Sequence, residues 1–491
     1  MLIKNAEISE VKDIFGQGFL DTSDNAIRKN GYSISDHKAR RINGVCSPSS
    51  YDEVAGLMQF ILEYKGEVPL YPVSTGKNWG YGSKNPVDHN CILVDLSKMN
   101  KIVDIDFKTG IAIIEPGVTQ KQLAHAIKGS GFRLNVTNAA SETSIVGNAL
   151  ERGIGTSRSR VEDVIGMEVV MGNGNTIKVG GLWPVTSDTE MALSYSHGIG
   201  PNLMPLFFQS NFGIVTKMAV SLIPESEKYS LIKCAFKKEK LAAVYEFVRY
   251  LYDQNILNTY FKIYDSSASG TYSLEGGEKA DFLLYGNIET SEEFHKVISV
   301  YLKEKFISSG LFIESHIYEL DYFSTLKNTN VDKIIYDTFR GVNNLSDFIS
   351  KLFSVNSIDD IDEHGRDGWL FFVPVIPADV EYLKKSIKII NHYNKKTPFV
   401  ISTSIKCPRT KSIDLNISIR FPREPLMIEA AHQLLKNLRK EFESMDIYCY
   451  RQGIDIQNGD EYFKDQHYKD QLKSLKNIFD PYGIIAPERY I

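Results

Sequence analysis

The densest concentration of residues able to do chemistry is Ser74-Thr75-Gly76-Lys77-Asn78-Trp79-Gly80-Tyr81-Gly82. Three glycines between Gly76 and Gly82 let the backbone approach a ligand closely. Successive N–H groups in such a loop form a concave nest suited to a pyrophosphate. Two other phosphate loops do not fit. A dinucleotide-binding G-x-G-x-x-G opens a helix, whereas Ser83-Lys84-Asn85-Pro86 follows here. A P-loop needs a different order of glycine and lysine. On spacing alone, a phosphate-binding loop and an ordinary glycine-rich surface loop both stay open. None of the ten histidines falls in a zinc-binding spacing, so no metal is expected.

The elements that would hold this loop fall into two textures. From about Arg40 to Glu225, short β-rich runs punctuated by glycine alternate with two helical patterns, Ser50 to Tyr64 and Thr119 to Gly131. Gly172-Asn173-Gly174 predicts a type I′ hairpin turn. After Ile223-Pro224-Glu225 glycine thins out. Helical patterns at Leu241 to Tyr252 and Val380 to Asn391 then alternate with strand patterns at Trp369 to Val375 and Ile413 to Phe421. A last helix, Lys469 to Phe479, stops at Asp480-Pro481 because proline disfavours helical geometry at the residue before it. The reading is α+β, with units at 1–225 and 226–446 and a C-terminal segment at 447–491.

Composition narrows the class. The 491 residues are 43% hydrophobic and 24% charged, with a net charge of −5, which excludes a disordered chain. No dense Lys/Arg block marks a nucleic-acid face. No apolar run reaches the ~18 residues that span a bilayer, and the N-terminus lacks an apolar signal core. Cys46, Cys91, Cys234, Cys407 and Cys449 form no CxxC pair and read as reduced structural thiols. A cytoplasmic protein with no membrane partner is expected.

The loop and four further segments together resemble the FAD-linked oxidases of the vanillyl-alcohol oxidase and p-cresol methylhydroxylase family. These are Ile114-Glu-Pro-Gly-Val118, Ile145 to Gly155, Gly198 to Lys217 and Asp480 to Pro487, in the family's order. The resemblance implies a PCMH-type FAD-binding domain and an α+β cap domain on an antiparallel sheet, with residues 447–491 returning to the first domain. By resemblance, the cofactor is lined by Ser74, Thr75, Gly76, Lys77, Asn78, Trp79, Gly80, Gly82, Pro116, Gly117, Thr143, Ser144, Gly147, Asn148, Glu151, Arg152, Gly153, Gly155, Gly213, Ile214 and Val215.

In the family's phenol-oxidising branch two tyrosines and an arginine bind the substrate phenolate; Tyr81, Tyr450 and Arg451 match them. A free phenol has a pKa of ~10, so ionising it at neutral pH needs a fixed positive charge and hydrogen-bond donors. A carboxylate would suit the same donors. The implied activity is hydride abstraction from a small aromatic, para-phenolic substrate onto flavin N5. A hydroxy-acid dehydrogenase and a flavin-fold protein with altered or lost chemistry are the alternatives. Two features depart from the pattern. Ala139 stands where the family's aspartate lies beside N5, with Glu142 nearby. The cap segment Ser412 to Ile417 lacks the histidine that binds flavin covalently, while Tyr393 stays open and His392 and His432 read as ordinary helix residues. FAD is therefore expected to be non-covalent. Pro116 implies oxygen as the electron acceptor, with another acceptor as the alternative, and a homodimer is one option.

Overall fold

The computed structural model describes residues 10–491 except 12, 17, 39, 64–67, 187–188, 258, 272–279, 408–410 and 457–461. Near the N-terminus, strands Ile42–Cys46, Cys91–Asp95 and Leu70–Val73 pair in parallel, with Leu20–Asp21 antiparallel at one edge. Helix Tyr51–Glu63 buries Val54, Leu57, Met58 and Ile61 against this sheet at i, i+3, i+4, i+7 spacing; Tyr64, where the sequence pattern ended, lies outside the described residues. A five-stranded antiparallel sheet follows, ordered Ile102–Asp106, Ile111–Ile114, Gly213–Ser221, Val164–Met171, Thr176–Val179.

Several local expectations are revised. The helix after Thr119 is shorter, Gln120–Ala126, opened by a Thr119–Gln122 capping box. The hairpin at 172–174 is not type I′: only Gly174 of the three takes positive φ, at +84°. Gly174 N–H bonds the Met171 carbonyl at 2.9 Å, the pattern of a type I turn followed by a left-handed glycine.

From Lys228 onward a single antiparallel sheet dominates, ordered Glu314–Tyr318, Lys228–Phe236, Phe282–Thr290, Phe261–Asp265, Val400–Cys407, Ser412–Pro422, Asp367–Phe372. Its residues alternate between two faces with the period of a pleated strand. Phe261, Ile263, Ile405, Cys407, Ile413 and Leu415 enter one large core. Helices Leu241–Asp253, Val380–Asn394 and Pro425–Glu443 pack on that face. Residues of the opposite phase, including Lys262, Tyr264, Ser404, Lys406, Asp414 and Asn416, face a cavity.

The strand expected from Trp369 to Val375 breaks into Asp367–Phe372 and Val375–Pro377. Pro374 has no N–H for a ladder; its carbonyl accepts from Leu415 N–H at 3.1 Å, and it forms a bridge with Cys449. The chain end returns to the first sheet, where Leu70 N–H bonds the Ile484 carbonyl and Ala486 N–H bonds the Leu70 carbonyl. Among the described residues no helix is long and apolar enough to cross a membrane.

Candidate active site

A cavity of about 420 Å³ lies between the glycine loop, the five-stranded sheet and the exposed face of the large sheet. The loop from Ser74 to Gly82 is held from both sides. Tyr81 N–H and Ser83 N–H both bond the Asn78 carbonyl. Asp362 accepts from Ser83 Oγ at 2.6 Å and from Ile34 N–H at 2.8 Å. Thr75 Oγ1 accepts from Ser144 N–H at 3.0 Å, and Ser144 Oγ donates to the Pro116 carbonyl at 2.6 Å. Three separate segments are thereby locked around one opening.

Of the expected cofactor residues, Ser74, Thr75, Gly76, Lys77, Asn78, Trp79, Pro116, Thr143, Ser144, Gly147, Asn148, Glu151, Gly153, Gly155, Gly213, Ile214 and Val215 line the cavity. Gly80, Gly82, Gly117 and Arg152 do not. Gly80 and Gly82 take φ of +84° and +114°, and a Cβ on either would run into Phe371 or Ile454. Their absence of a side chain serves the turn, so they act by shaping the loop. Gly117 packs on the carbonyls of Leu96, Ser97 and Met99. Arg152 is exposed. Lys77 ion-pairs with Asp359, so its charge is already taken up.

The three expected substrate residues converge. The Arg451 guanidinium lies 5.0 Å from the Tyr81 ring centroid, and Tyr450 directly precedes Arg451 in the chain. Tyr81 also stacks on Phe371. Tyr450 is held by Gln209, whose Nε2 donates to its carbonyl at 2.7 Å, and by Val375 N–H on the Tyr448 carbonyl. Burial pushes the Tyr81 phenol well above its ordinary range, Tyr450 adds to the rise, and Arg451 opposes it. Burial likewise pushes Tyr450 up to about 12. Both tyrosines therefore stay protonated at neutral pH and can donate.

Glu151 stands in a role its sequence position did not reveal. Its carboxylate ion-pairs with Arg489, accepts from the Tyr490 hydroxyl at 2.6 Å, and lies 3.3 Å from Arg451 Nε, an ion pair without a hydrogen bond. Burial opposes its charge, but Arg489 and Arg451 hold its pKa below the usual range. It orients Arg451.

The position of Ala139 is fixed by Asn343, whose Nδ2 donates to the Thr137 and Ala139 carbonyls at 2.9 and 2.7 Å. Glu142 does not turn toward the cavity; it is bonded by Ser141 Oγ and Ser346 Oγ. Tyr393 is on the outer helix, near Glu441 and away from the cavity lining. His392 neighbours it there, and His432 bonds the Ser35 carbonyl. His37, His432 and Asp455 come within 4.8 Å of one another, a grouping the sequence spacing did not suggest. The segment Ser412 to Ile417 presents Asp414 and Asn416 to the cavity. Lys262, Lys406 and Asp414 were missed; charged residues at the alternate positions of Phe261-Lys262-Ile263 and Ile405-Lys406-Cys407 were the available signal.

The lining fits a large polar cofactor. Thr143 Oγ1, Asn148 Oδ1 and Thr156 Oγ1 are buried at the cavity with no hydrogen-bond partner among the described residues, and buried polar atoms are normally satisfied.

Residues 42–180 match the FAD binding domain family. Over 248 residues the chain is 35% identical to 1'-carboxy-chondrochloren decarboxylase of Chondromyces crocatus, covering 49% of this chain and 45% of that protein. Over 483 residues it is 26% identical to the 4-cresol dehydrogenase [hydroxylating] flavoprotein subunit of Pseudomonas putida, covering 92% and 88%. The structure superposes on p-cresol methylhydroxylase with substrate bound at a TM-score of 0.88, with 22% identity and coverage of 100% and 97%. The chain thus carries an FAD binding domain at residues 42–180, and the first of these relatives is matched over less than half of its own length. The chain's fold is that of p-cresol methylhydroxylase, a PCMH-type α+β FAD-binding domain with a cap.

Proposed function

We propose that the protein oxidises a small para-substituted phenol by removing hydride from the carbon next to the ring. The observation that carries this reading is the convergence of Tyr81, Tyr450 and Arg451 on one cavity. Residues 1–225 bind FAD, 226–446 roof the substrate, and 447–491 bring Tyr450 and Arg451 to the junction.

The two protonated tyrosines donate to the phenol oxygen, and the Arg451 charge stabilises that oxygen as phenolate. An ionised phenol can push electrons through the ring as hydride leaves, giving a neutral quinone methide. When bound, FAD supplies the hydride acceptor. The buried, partly apolar surroundings of Trp79, Phe371 and Trp369 strengthen the electrostatic hold on the anion. The cavity places no carboxylate at Ala139, and Glu151 is committed to two arginines. The Tyr81–Tyr450–Arg451 group therefore acts by lowering the pKa of the bound phenol, whose proton is lost to solvent, and none of the three serves as the base.

Flavin is held without a covalent bond in this reading, since Ser412 to Ile417 offers neither histidine nor tyrosine. Oxygen is the acceptor, reached past Pro116 at the cavity wall. The test is anaerobic mixing of the FAD-loaded protein with 4-propylphenol and, separately, with D-lactate. Bleaching of the flavin band by the phenol supports the reading; bleaching by the hydroxy acid alone replaces it with a hydroxy-acid dehydrogenase.

A further inference from the structure

One row of directly opposed residues crosses the roof sheet in the order Lys233, Tyr285, Lys262, Lys406, Asp414. Opposed residues on antiparallel strands project from the same face, with Cβ atoms about 4.5–5.5 Å apart. Tyr285, Lys262, Lys406 and Asp414 all line the cavity.

The charges in this row do not balance. Lys233 is taken up by Asp332 at 2.7 Å, which also accepts from the Tyr285 hydroxyl at 2.8 Å. Lys406 faces Asp414 across the ladder and donates to the Gly155 carbonyl. Lys262 has only the Tyr264 ring, 4.9 Å from its Nζ, and no carboxylate acts on it among the described residues. Burial pushes its pKa down to about 8. Burial also pushes the Lys406 pKa well down, with Asp414 opposing the fall and Lys262 adding to it. Two buried lysines thus share one carboxylate at the cavity wall, and like charges directly opposed destabilise a sheet. An uncompensated buried charge is costly, so a site kept this way is poised for an anion. Tyr81, Tyr450 and Arg451 line the same cavity as this row.

We propose that Lys262 and Lys406 form an anion subsite for a carboxylate at the far end of the substrate, so that the preferred substrate is a phenol carrying a carboxylate. This rests on the phenol reading above for the orientation of the molecule. The lysine ammonium groups would donate to the carboxylate oxygens while Tyr81, Tyr450 and Arg451 hold the phenol oxygen.

The test separates binding from turnover. The oxidised, FAD-loaded protein is titrated with 3-(4-hydroxyphenyl)propionate and with 4-propylphenol, and binding is followed by the flavin difference spectrum. The parent should bind the acid about 30-fold more tightly than the neutral phenol, the scale of one charge-assisted contact. Lys262→Met should reduce that ratio to about 3 or less, and Lys262→Arg should keep most of it. If Lys262→Met does not load FAD, Lys406→Met is measured the same way. Equal affinities in the parent, or a ratio unmoved by the variants, would overturn the subsite. Anaerobic bleaching by 4-propylphenol reports on the phenol reading alone. A Lys262→Met protein that bleaches more slowly with both compounds at an unchanged binding ratio would place Lys262 in the chemistry and also overturn the subsite.

Discussion

Arg451 Nε lies 3.3 Å from Glu151 Oε2, inside a buried group that also contains Arg489 and the Tyr490 hydroxyl. Two guanidiniums share one carboxylate, so the cluster keeps a positive charge while Arg451 is held in place. A fully neutralised arginine would be a poor partner for a phenolate. Here Arg489 absorbs most of Glu151, and the residual charge is left at the cavity.

Glu151→Gln should therefore destabilise the protein strongly, by about 3–5 kcal/mol, because removing one member of a buried ion group leaves charges uncompensated. Thermal denaturation of parent and variant, each loaded with FAD, measures it. A change below about 1 kcal/mol would mean that the two arginines find other partners.

Arg451→Leu should damage catalysis more than folding, since Glu151 keeps Arg489 and Tyr490. Losing a charge aimed at a developing anion costs roughly 2–4 kcal/mol, or ~30- to 1,000-fold in rate. Tyr81→Phe and Tyr450→Phe should each cost less, because a neutral hydrogen bond contributes ~0.5–1.5 kcal/mol net. Anaerobic stopped-flow reduction rates give all three numbers.

Lys262 carries a pH-dependence of stability. Its folded pKa of about 8 lies below the ordinary lysine value, so the folded state binds fewer protons than the unfolded state between about 8 and 10.4. Its destabilising effect is fully present below pH 8 and is relieved as pH rises toward 10.4. Lys262→Met should thus melt higher than the parent at pH 7, with the difference shrinking by pH 10. A difference that is constant across this range would show that Lys262 keeps an ordinary pKa.

Heat or acid should release a yellow small molecule from the purified protein, leaving the precipitate colourless. Colour retained on the polypeptide would indicate a covalent link, and the cavity-lining Tyr260 and Tyr264 would be the residues to replace.

Much of the cavity lining was legible in the sequence. The glycine loop, the 143–155 segment and the Tyr450-Arg451 pair are short local signals, and local backbone demands such as the φ of +114° at Gly82 leave a mark in sequence. Long-range partners leave none. Glu151 and Arg489 lie 338 positions apart, and nothing in either neighbourhood announces the pair. The lysine row was hidden for another reason. Lys262, Lys406 and Asp414 each look like a solvent-facing polar position on an amphipathic strand, and only the strand register makes them opposed. The break at Pro374 was missed because Trp369 to Val375 is apolar throughout, while a missing N–H ends the ladder regardless of hydropathy.

The central claim is that Tyr81, Tyr450 and Arg451 hold the substrate as phenolate. It is tested most directly by the ultraviolet difference spectrum of 4-hydroxybenzaldehyde, a non-reducing probe, bound to the oxidised protein at pH 6.5. A free phenolate differs from its phenol by a long-wavelength band. The account predicts that the phenolate band appears on binding to the parent, with the probe's apparent pKa lowered, and that Arg451→Leu abolishes it. Probe bound in its neutral form by the parent, or an equally strong phenolate band in Arg451→Leu, would contradict it.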